Sequence, residues 1–246
     1  MSLLGLDRAG SGPTLVWLHG FTQTKHSSHR FRSILAGSYE VLTIDLPGHG
    51  ENAGTSGSLE DTADMLAEAL PRDPFILAGY SLGGRVALHF GLRHPSRLAH
   101  LVVLSATPGI AQGEERRARR HRDDELADRI ETIGTDAFLD EWLAQPMFRA
   151  LPRDPLERAA RSRDARGLAN SLRWAGTGTQ SDLTGMLGQL ATPTLILAGA
   201  NDEKFANEAI RLGESIAHST RRLVPEAGHA AHLEQPETVA ALVATL

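Results

Sequence analysis

A serine lies between two glycines in the segment Gly79-Tyr80-Ser81-Leu82-Gly83, which has the spacing G-x-S-x-G. An apolar run at 75–78 precedes the segment, and a run with helical spacing at 85–92 follows it. A tight turn from a strand into a helix exposes such a serine hydroxyl, and the flanking glycines leave room for the turn. The pattern therefore predicts that Ser81 is a reactive serine, with an ordinary N-capping serine in a glycine-rich turn as the alternative.

A serine hydroxyl becomes reactive beside an imidazole, which in turn needs an acid to fix its tautomer. His229 fits the first role because it lies in a Gly-His turn after the last predicted strand, and Asp202 fits the second because it follows the strand before that. Glu203 is less suitable, since it is expected to begin the next helix. The alternatives are a helix N-cap for Asp202 and a buried turn histidine for His229, while His232 is expected at the surface or behind the site.

Two backbone N–H groups are candidates for stabilising negative charge on a reacting oxygen. His19-Gly20-Phe21 follows the first clear strand, and the N–H of Phe21 is expected to point towards Ser81. The N–H of Leu82, directly after the serine, completes the predicted oxyanion hole.

Short apolar runs that end in glycine-bearing turns alternate with helical stretches along most of the chain. Such runs are typical of parallel strands buried on both faces, and the alternation indicates a doubly wound α/β architecture. The predicted strands are 14–18, 39–44, 75–78, 101–104, 194–198 and 221–224, with helices predicted at 58–70, 83–93 and 203–216.

Residues 109–190 have a different texture, helical and rich in arginine. The stretch is too long for a simple loop between two strands, so we expect a helical cap inserted over the carboxyl ends of the sheet. The predicted organisation is a core of 1–108 and 191–246 with the cap at 109–190. Most arginines of the cap are expected to be solvated and ion-paired. Several arginines that converge on one pocket would instead indicate a polyanionic substrate.

Composition narrows the function further. The chain has 246 residues, 41% hydrophobic, with a formal net charge of −5 and no cysteine. The charge argues against nucleic acid as a partner, and the lack of cysteine excludes disulfides, thiolate nucleophiles and cysteine metal sites. The sequence shows neither a signal-peptide pattern nor an apolar run long enough to cross a membrane. We expect a cytoplasmic protein with no membrane partner, no metal and no cofactor, present as a monomer or weak homo-oligomer.

Segments spread over nearly the whole chain resemble the 2-succinyl-6-hydroxy-2,4-cyclohexadiene-1-carboxylate synthase (SHCHC synthase, MenH) family, which has the α/β-hydrolase fold. The shared segments of the core are 15–22, 45–50, 79–85, 202–205 and 228–234. Motifs within and beside the cap are more specific, and they include 107–110, 115–123, 142–148, 168–173 and 176–180.

The resemblance implies a mostly parallel sheet with helices on both faces and an inserted helical cap. It also implies the family reaction, elimination of pyruvate from an enolpyruvyl ether that carries three carboxylates, without a cofactor. The site residues that it implies are a triad of Ser81, Asp202 and His229, carboxylate-binding Arg85, Arg119 and Arg161, and pocket-lining Tyr80 and Trp142. Arg163 and Arg166 remain alternatives to Arg161.

Two other functions use the same residue types. An esterase or carbon–carbon bond hydrolase would use Ser81 as a nucleophile in a mostly apolar pocket. A binding protein on the same fold would lack a working Ser–His pair. The position of the arginines relative to Ser81 is the observation that discriminates the synthase from the hydrolase.

Overall fold

The computed structural model describes residues 5–246. Seven strands form one sheet in the order β1-β3-β2-β4-β5-β6-β7 and span Asp7–Ala9 (β1), Thr14–Leu18 (β2), Glu40–Thr43 (β3), Phe75–Tyr80 (β4), Leu98–Leu104 (β5), Thr194–Gly199 (β6) and Ser219–Val224 (β7). β1 pairs antiparallel with β3, and every other neighbouring pair is parallel.

Helices cover both faces of the sheet. They span His29–Leu35 (α1), Leu59–Ala69 (α2), Leu82–Arg93 (α3), Gly113–Leu143 (α4), Pro155–Ala159 (α5), Ala165–Ala175 (α6), Glu203–Ser215 (α7), Ala231–Glu234 (α8) and Pro236–Val243 (α9). Short 3₁₀ turns lie at Gly50–Asn52, Pro95–Arg97, Pro146–Phe148 and Thr184–Gln189. Within residues 5–246 no helix has the length and apolar character needed to cross a membrane.

Side chains of the central strands alternate between the two faces, as the two-residue period of a strand requires. In β2, Val16 and Leu18 pack into the core beneath α2 and α3, whereas Leu15 and Trp17 pack into the core beneath α1 and α9. Both faces are apolar because helices cover both of them. The prediction of a mostly parallel α/β sheet is confirmed.

Strand ends differ from the sequence prediction by a few residues. The run predicted at 101–104 is the end of a longer strand, β5, which begins at Leu98. His100 interrupts the apolar pattern, but its backbone still pairs with Ile76 of β4. Hydrogen bonding to a neighbouring strand therefore extends β5 beyond the apolar run that sequence alone detects.

Helices α4 to α6 lie between β5 and β6, where the cap is predicted. α4 is interrupted at Gly134, whose φ of 77° and ψ of 169° are not helical. The arms on either side fold over α6, and their buried side chains form a separate small core that includes Ala127, Ile130, Phe138, Leu168 and Leu172. The domain boundaries at 109 and 190 stay a prediction.

The turn from β4 into α3 is packed without space for additional atoms. Ser81 has φ 52° and ψ −106° there, a backbone conformation that few residues with a side chain adopt. A Cβ atom on Gly79 would lie 2.2 Å from the Gly83 carbonyl oxygen, and one on Gly83 would lie 2.2 Å from the Leu18 carbonyl oxygen. Glycine at both positions is therefore required for the close approach of backbone to backbone.

We expect Gly83→Ala to lower the free energy of unfolding by about 1–3 kcal/mol, because the added methyl group overlaps a backbone oxygen that cannot move freely. Gly54→Ala is the matched control, since nothing lies within 4 Å of its Cβ position. Its change is expected to stay within about 0.5 kcal/mol. Urea denaturation measures both, and equal stability of the two variants would contradict the steric account of this turn.

Candidate active site

Ser81, His229 and Asp202 form one chain of hydrogen bonds across three loops at the carboxyl ends of the strands. His229 Nε2 lies 3.2 Å from Ser81 Oγ, and His229 Nδ1 lies 2.9 Å from Asp202 Oδ2. A carboxylate accepts only, so Nδ1 carries the proton and Nε2 is free to accept from the serine. The geometry suits an imidazole that removes a proton from Ser81.

Both oxygens of Asp202 are engaged. While Oδ2 faces His229, Oδ1 accepts from the backbone N–H of Phe205 at 3.3 Å and caps the N-terminus of α7. Asp202 therefore both caps α7 and orients His229, so the two alternative roles predicted for it are filled by one side chain. Glu203 begins α7 instead, as expected.

Glu234 fixes the loop that carries His229. One of its oxygens accepts from Gly228 N at 2.6 Å and the other accepts from Ala230 N at 3.1 Å. These bonds bracket the histidine on both sides. They fix the backbone of this loop, while Asp202 orients the ring itself.

Two buried histidines hold the loop that carries Phe21. Because a carbonyl only accepts, His19 Nδ1 donates to Gly20 O at 2.9 Å, and its Nε2 accepts from Leu46 N at 3.0 Å. His49 Nδ1 donates in the same way to a nearby carbonyl, and its Nε2 accepts from Thr22 N at 3.3 Å. Both rings must be neutral to make these bonds.

The backbone N–H groups of Phe21 and Leu82 have no acceptor within the described part of the chain. Both residues line the same cavity as Ser81. Unpaired donors beside a reactive hydroxyl suit the stabilisation of a developing oxyanion. Their role as an oxyanion hole stays a prediction.

A cavity of about 330 Å³ opens beside Ser81 and His229. Four basic side chains line it, from Arg85, Arg119, Arg122 and Lys204, and among residues 5–246 no aspartate or glutamate lines it. The chain as a whole carries a formal charge of −5, so the cationic lining is a local feature. A cavity of this kind favours an anionic ligand.

Two of these cations, the buried Arg85 and the partly buried Arg119, are held by specific partners. Arg85 Nη1 donates to Ala175 O at 2.8 Å, while Arg119 Nε donates to Asp123 Oδ1 at 2.8 Å. The other Asp123 oxygen accepts from Gly178 N, which ties α4 to the loop after α6. Burial lowers the pKa of Arg85 to about 10, and the nearby Arg119 acts in the same direction, so Arg85 stays charged at neutral pH.

Aromatic side chains form another part of the wall. The rings of Tyr80 and Phe205 lie 5.2 and 4.5 Å from the ring of His229, measured between centroids. Trp142 packs against Phe21, and its buried Nε1 has no acceptor among the described residues. Trp142 lines the cavity, and its contact with substrate stays a prediction.

Arg161 lies outside the cavity lining, near Tyr80 and His232. It is 6% exposed, its Nη1 donates to Thr22 Oγ1, and it is absent from the described lining of the cavity beside Ser81. Arg163 is exposed and pairs with Asp136, and Arg166 is also exposed, so Arg161 is the inward-facing residue of the three. A direct role of Arg161 in substrate binding stays a prediction.

His232 is not at the surface. Its ring is completely buried, 4.4 Å from the ring of Tyr80 and 5.1 Å from that of Trp17 between centroids, so a surface position was wrong.

No group of three or more candidate metal ligands occurs within residues 5–246.

Known proteins resemble this chain along its full length. Residues 15–242 match the model of the alpha/beta hydrolase family. A protein of Enterobacter sp. (strain 638) named 2-succinyl-6-hydroxy-2,4-cyclohexadiene-1-carboxylate synthase is 33% identical over 100% of this chain and 96% of its own length. The chain belongs to the SHCHC synthase family of α/β-hydrolase-fold enzymes.

Solved structures agree with the family assignment. The structure of MenH from S. aureus superposes with a TM-score of 0.91 at 30% identity and covers 100% of this chain and 97% of its own. A thermophilic esterase from Thermogutta terrifontis gives a TM-score of 0.80 at 26% identity and covers 98% of this chain and 91% of its own. The resemblance to the SHCHC synthase family that the motifs predict is confirmed.

Sequence reasoning placed most of the site but missed two of its cations. The structure brings Ser81, Asp202 and His229 together and puts Arg85 and Arg119 on the same cavity. Arg122 and Lys204 were not predicted to line it. Arg122 could have been found, because it lies three residues after Arg119 and therefore on the same face of α4.

Acid is expected to destabilise the fold through His19 and His49. Burial lowers the pKa of His19 to about 4, and burial aided by His19 lowers the pKa of His49 to about 3. An unfolded histidine takes up a proton near pH 6.5, so between pH 6.5 and 4 the unfolded state binds more protons than the folded state. The stabilisation that comes from keeping these two histidines neutral is fully present above pH 6.5 and is lost below it. Between pH 7.5 and 5 the free energy of unfolding falls by about 2 kcal/mol for each histidine.

Urea denaturation at pH 7.5 and pH 5 measures this loss. In His49→Gln the loss is expected to be smaller by about 2 kcal/mol, because one of the two protonation sites is gone. His218→Gln is the matched control, since His218 is exposed. The account of the Phe21 loop fails if both variants lose as much stability as the unmodified protein.

Proposed function

We propose that this protein eliminates pyruvate from 2-succinyl-5-enolpyruvyl-6-hydroxy-3-cyclohexene-1-carboxylate, the reaction of SHCHC synthase in menaquinone biosynthesis. The observation that carries the proposal is a hydrogen-bonded Ser81–His229–Asp202 chain facing a cavity lined by basic side chains and, within residues 5–246, by no acidic one. A substrate with three carboxylates suits such a lining. The family to which the chain belongs supports the same reaction.

The proposed first step is a proton transfer. His229, oriented by Asp202, takes the proton of Ser81, and the Ser81 oxyanion then removes a proton from the ring of the substrate. The electrons of the broken C–H bond delocalise towards the succinyl carbonyl. The N–H groups of Phe21 and Leu82 stabilise the resulting enolate oxygen.

Elimination follows from this enolate. As the carbonyl re-forms, the electrons form a new ring double bond, and the C–O bond to the enolpyruvyl group breaks. The enolate of pyruvate leaves with the electrons of that bond and becomes pyruvate by taking up the proton that His229 received from Ser81. Ser81 keeps the ring proton, so both groups return to their starting states. Ser81 acts as a base throughout, and no covalent acyl-enzyme is formed in this scheme.

The basic side chains have a positioning role in the scheme. Arg85 and Arg119 bind substrate carboxylates, while Tyr80 and Trp142 form the wall against the ring. Charge-assisted hydrogen bonds to arginine fix a carboxylate in direction as well as in distance. The ring proton is thereby held near Ser81 Oγ.

A hydrolase acting on esters or carbon–carbon bonds is the second candidate. The same Ser81–His229 hydrogen bond of 3.2 Å suits a nucleophilic serine, and an esterase is among the similar structures. The cationic lining favours the synthase, because neutral esters have no charge for four basic side chains to compensate. A binding protein without catalysis gains no support, since the serine and the imidazole are in hydrogen-bonding contact.

We propose a small polycarboxylate as the substrate, a cytoplasmic location, and a monomer or weak homo-oligomer as the active form.

Pyruvate release tests the proposed reaction. The preceding pathway enzyme converts isochorismate and 2-oxoglutarate, and the purified protein is then added while pyruvate is measured. Ser81→Ala is expected to lower the rate at least about a thousandfold, because it removes the group that takes the ring proton.

Ser215→Ala is the matched control, since its hydroxyl lies on α7 outside the cavity and donates to Arg211 O. Its rate should equal that of the unmodified protein. Absence of pyruvate together with Ser81-dependent cleavage of simple esters would replace the synthase with the hydrolase.

A further inference from the structure

The four cations of the cavity differ in what compensates their charge. Arg119 is paired with Asp123 at 2.8 Å, so its charge is balanced inside the protein. Arg85 donates only to neutral oxygens, those of Ala175 and Gln180. Arg122 and Lys204 line the same cavity, and neither has an ion pair within residues 5–246.

Arg122 points into the cavity because of its position on α4. Arg119, Arg122 and Leu126 are spaced i, i+3 and i+7, which places them on one face of the helix, and all three line the cavity. Asp123, one residue further, is buried beneath this face and holds Arg119. Arg122 is exposed, so it stands at the mouth rather than at the base of the cavity.

Lys204 approaches the cavity from the sheet side. It lies in the first turn of α7, two residues after Asp202, with its Nζ 5.1 Å from the centroid of the Phe205 ring. The Phe205 ring in turn lies against the ring of His229. The ammonium group therefore stands at the mouth near the catalytic end of the cavity, held by a ring and not by a carboxylate.

We propose that Arg122 and Lys204 bind carboxylates of the substrate and act as its specificity-determining residues at the mouth of the cavity. The inference rests on the proposed function for the identity of the substrate. Together with Arg85 they make three cations without a carboxylate partner among the described residues, which equals the number of carboxylates on the proposed substrate. Arg119, whose charge Asp123 already balances, adds a further contact to one of these carboxylates.

Neutralising either residue is expected to weaken substrate binding with little effect on the chemical step. In Arg122→Gln and in Lys204→Gln we expect KM for pyruvate release to rise about tenfold and kcat to change less than about twofold, since the lost contact is present in both ground and transition states. Arg122→Lys should recover part of the loss. Because the side chains are exposed, thermal midpoints are expected to stay within about two degrees of the parent.

Arg120→Gln is the matched control. Arg120 is an exposed arginine of α4 that does not line the cavity, so the variant removes the same charge from the same helix. Its KM should equal that of the unmodified protein. If Arg122→Gln or Lys204→Gln is indistinguishable from Arg120→Gln, the role proposed for that residue is overturned.

Binding of a simple tricarboxylate separates this inference from the proposed reaction. Tricarballylate is titrated calorimetrically into Ser81→Ala protein, with and without each of the three substitutions by glutamine, and pyruvate serves as the monocarboxylate comparison. We expect the Kd of tricarballylate to rise about tenfold with Arg122→Gln and Lys204→Gln only, which corresponds to about 1.4 kcal/mol. Pyruvate should bind more weakly and respond less.

Failure of the proposed reaction and failure of the carboxylate site give different results in these two experiments. If tricarballylate binding depends on Arg122 and Lys204 but no pyruvate is released in the coupled assay, the proposed reaction is wrong and the carboxylate site stands. If pyruvate is released while neither KM nor tricarballylate affinity depends on these residues, the reaction stands and the carboxylate site is wrong.

Discussion

The close contact between the β4–α3 turn and β2 is the constraint on which the site depends. Gly83 lies against the Leu18 backbone and Gly79 lies against Gly83, so the turn is held from both sides while Ser81 is kept at a positive φ. The serine hydroxyl consequently projects beyond the carboxyl ends of the strands, where the loops from β2, β6 and β7 can reach it. A looser turn would leave the hydroxyl without a defined direction, and neither the imidazole nor the backbone donors could be placed relative to it.

The carboxylates that support the basic side chains of the site lie outside the cavity lining. Asp123 supports Arg119 and Asp202 supports His229, yet neither acid lines the cavity. A ligand in the cavity therefore meets positive charge and neutral surface only. This arrangement lets an acidic protein present a cationic cavity without repelling an anionic substrate at close range.

The sequence predicted the elements that have strong local signals. The G-x-S-x-G segment, the apolar strands and the order of serine, acid and histidine located Ser81, Asp202 and His229, because each follows a strand whose pattern is readable. The resemblance to a family supplied Arg85 and Arg119, which spacing alone left open. The start of β5 was missed because pairing with a neighbouring strand, rather than apolar periodicity, extends it. Sequence also could not tell which of Arg161, Arg163 and Arg166 faces inward, since the three lie close together in one arginine-rich stretch and only the folded chain shows that Arg161 alone is buried.

Asp202 is subject to two different requirements at once. The N-terminus of α7 is capped well by aspartate, asparagine, serine or threonine. An imidazole that must keep its proton on Nδ1 and carry positive charge is served by a carboxylate, from aspartate or glutamate. Aspartate is the one side chain that can both cap the helix and support the charged imidazole. Any substitution at position 202 is therefore expected to impair one of the two roles, even though each role alone tolerates several residues.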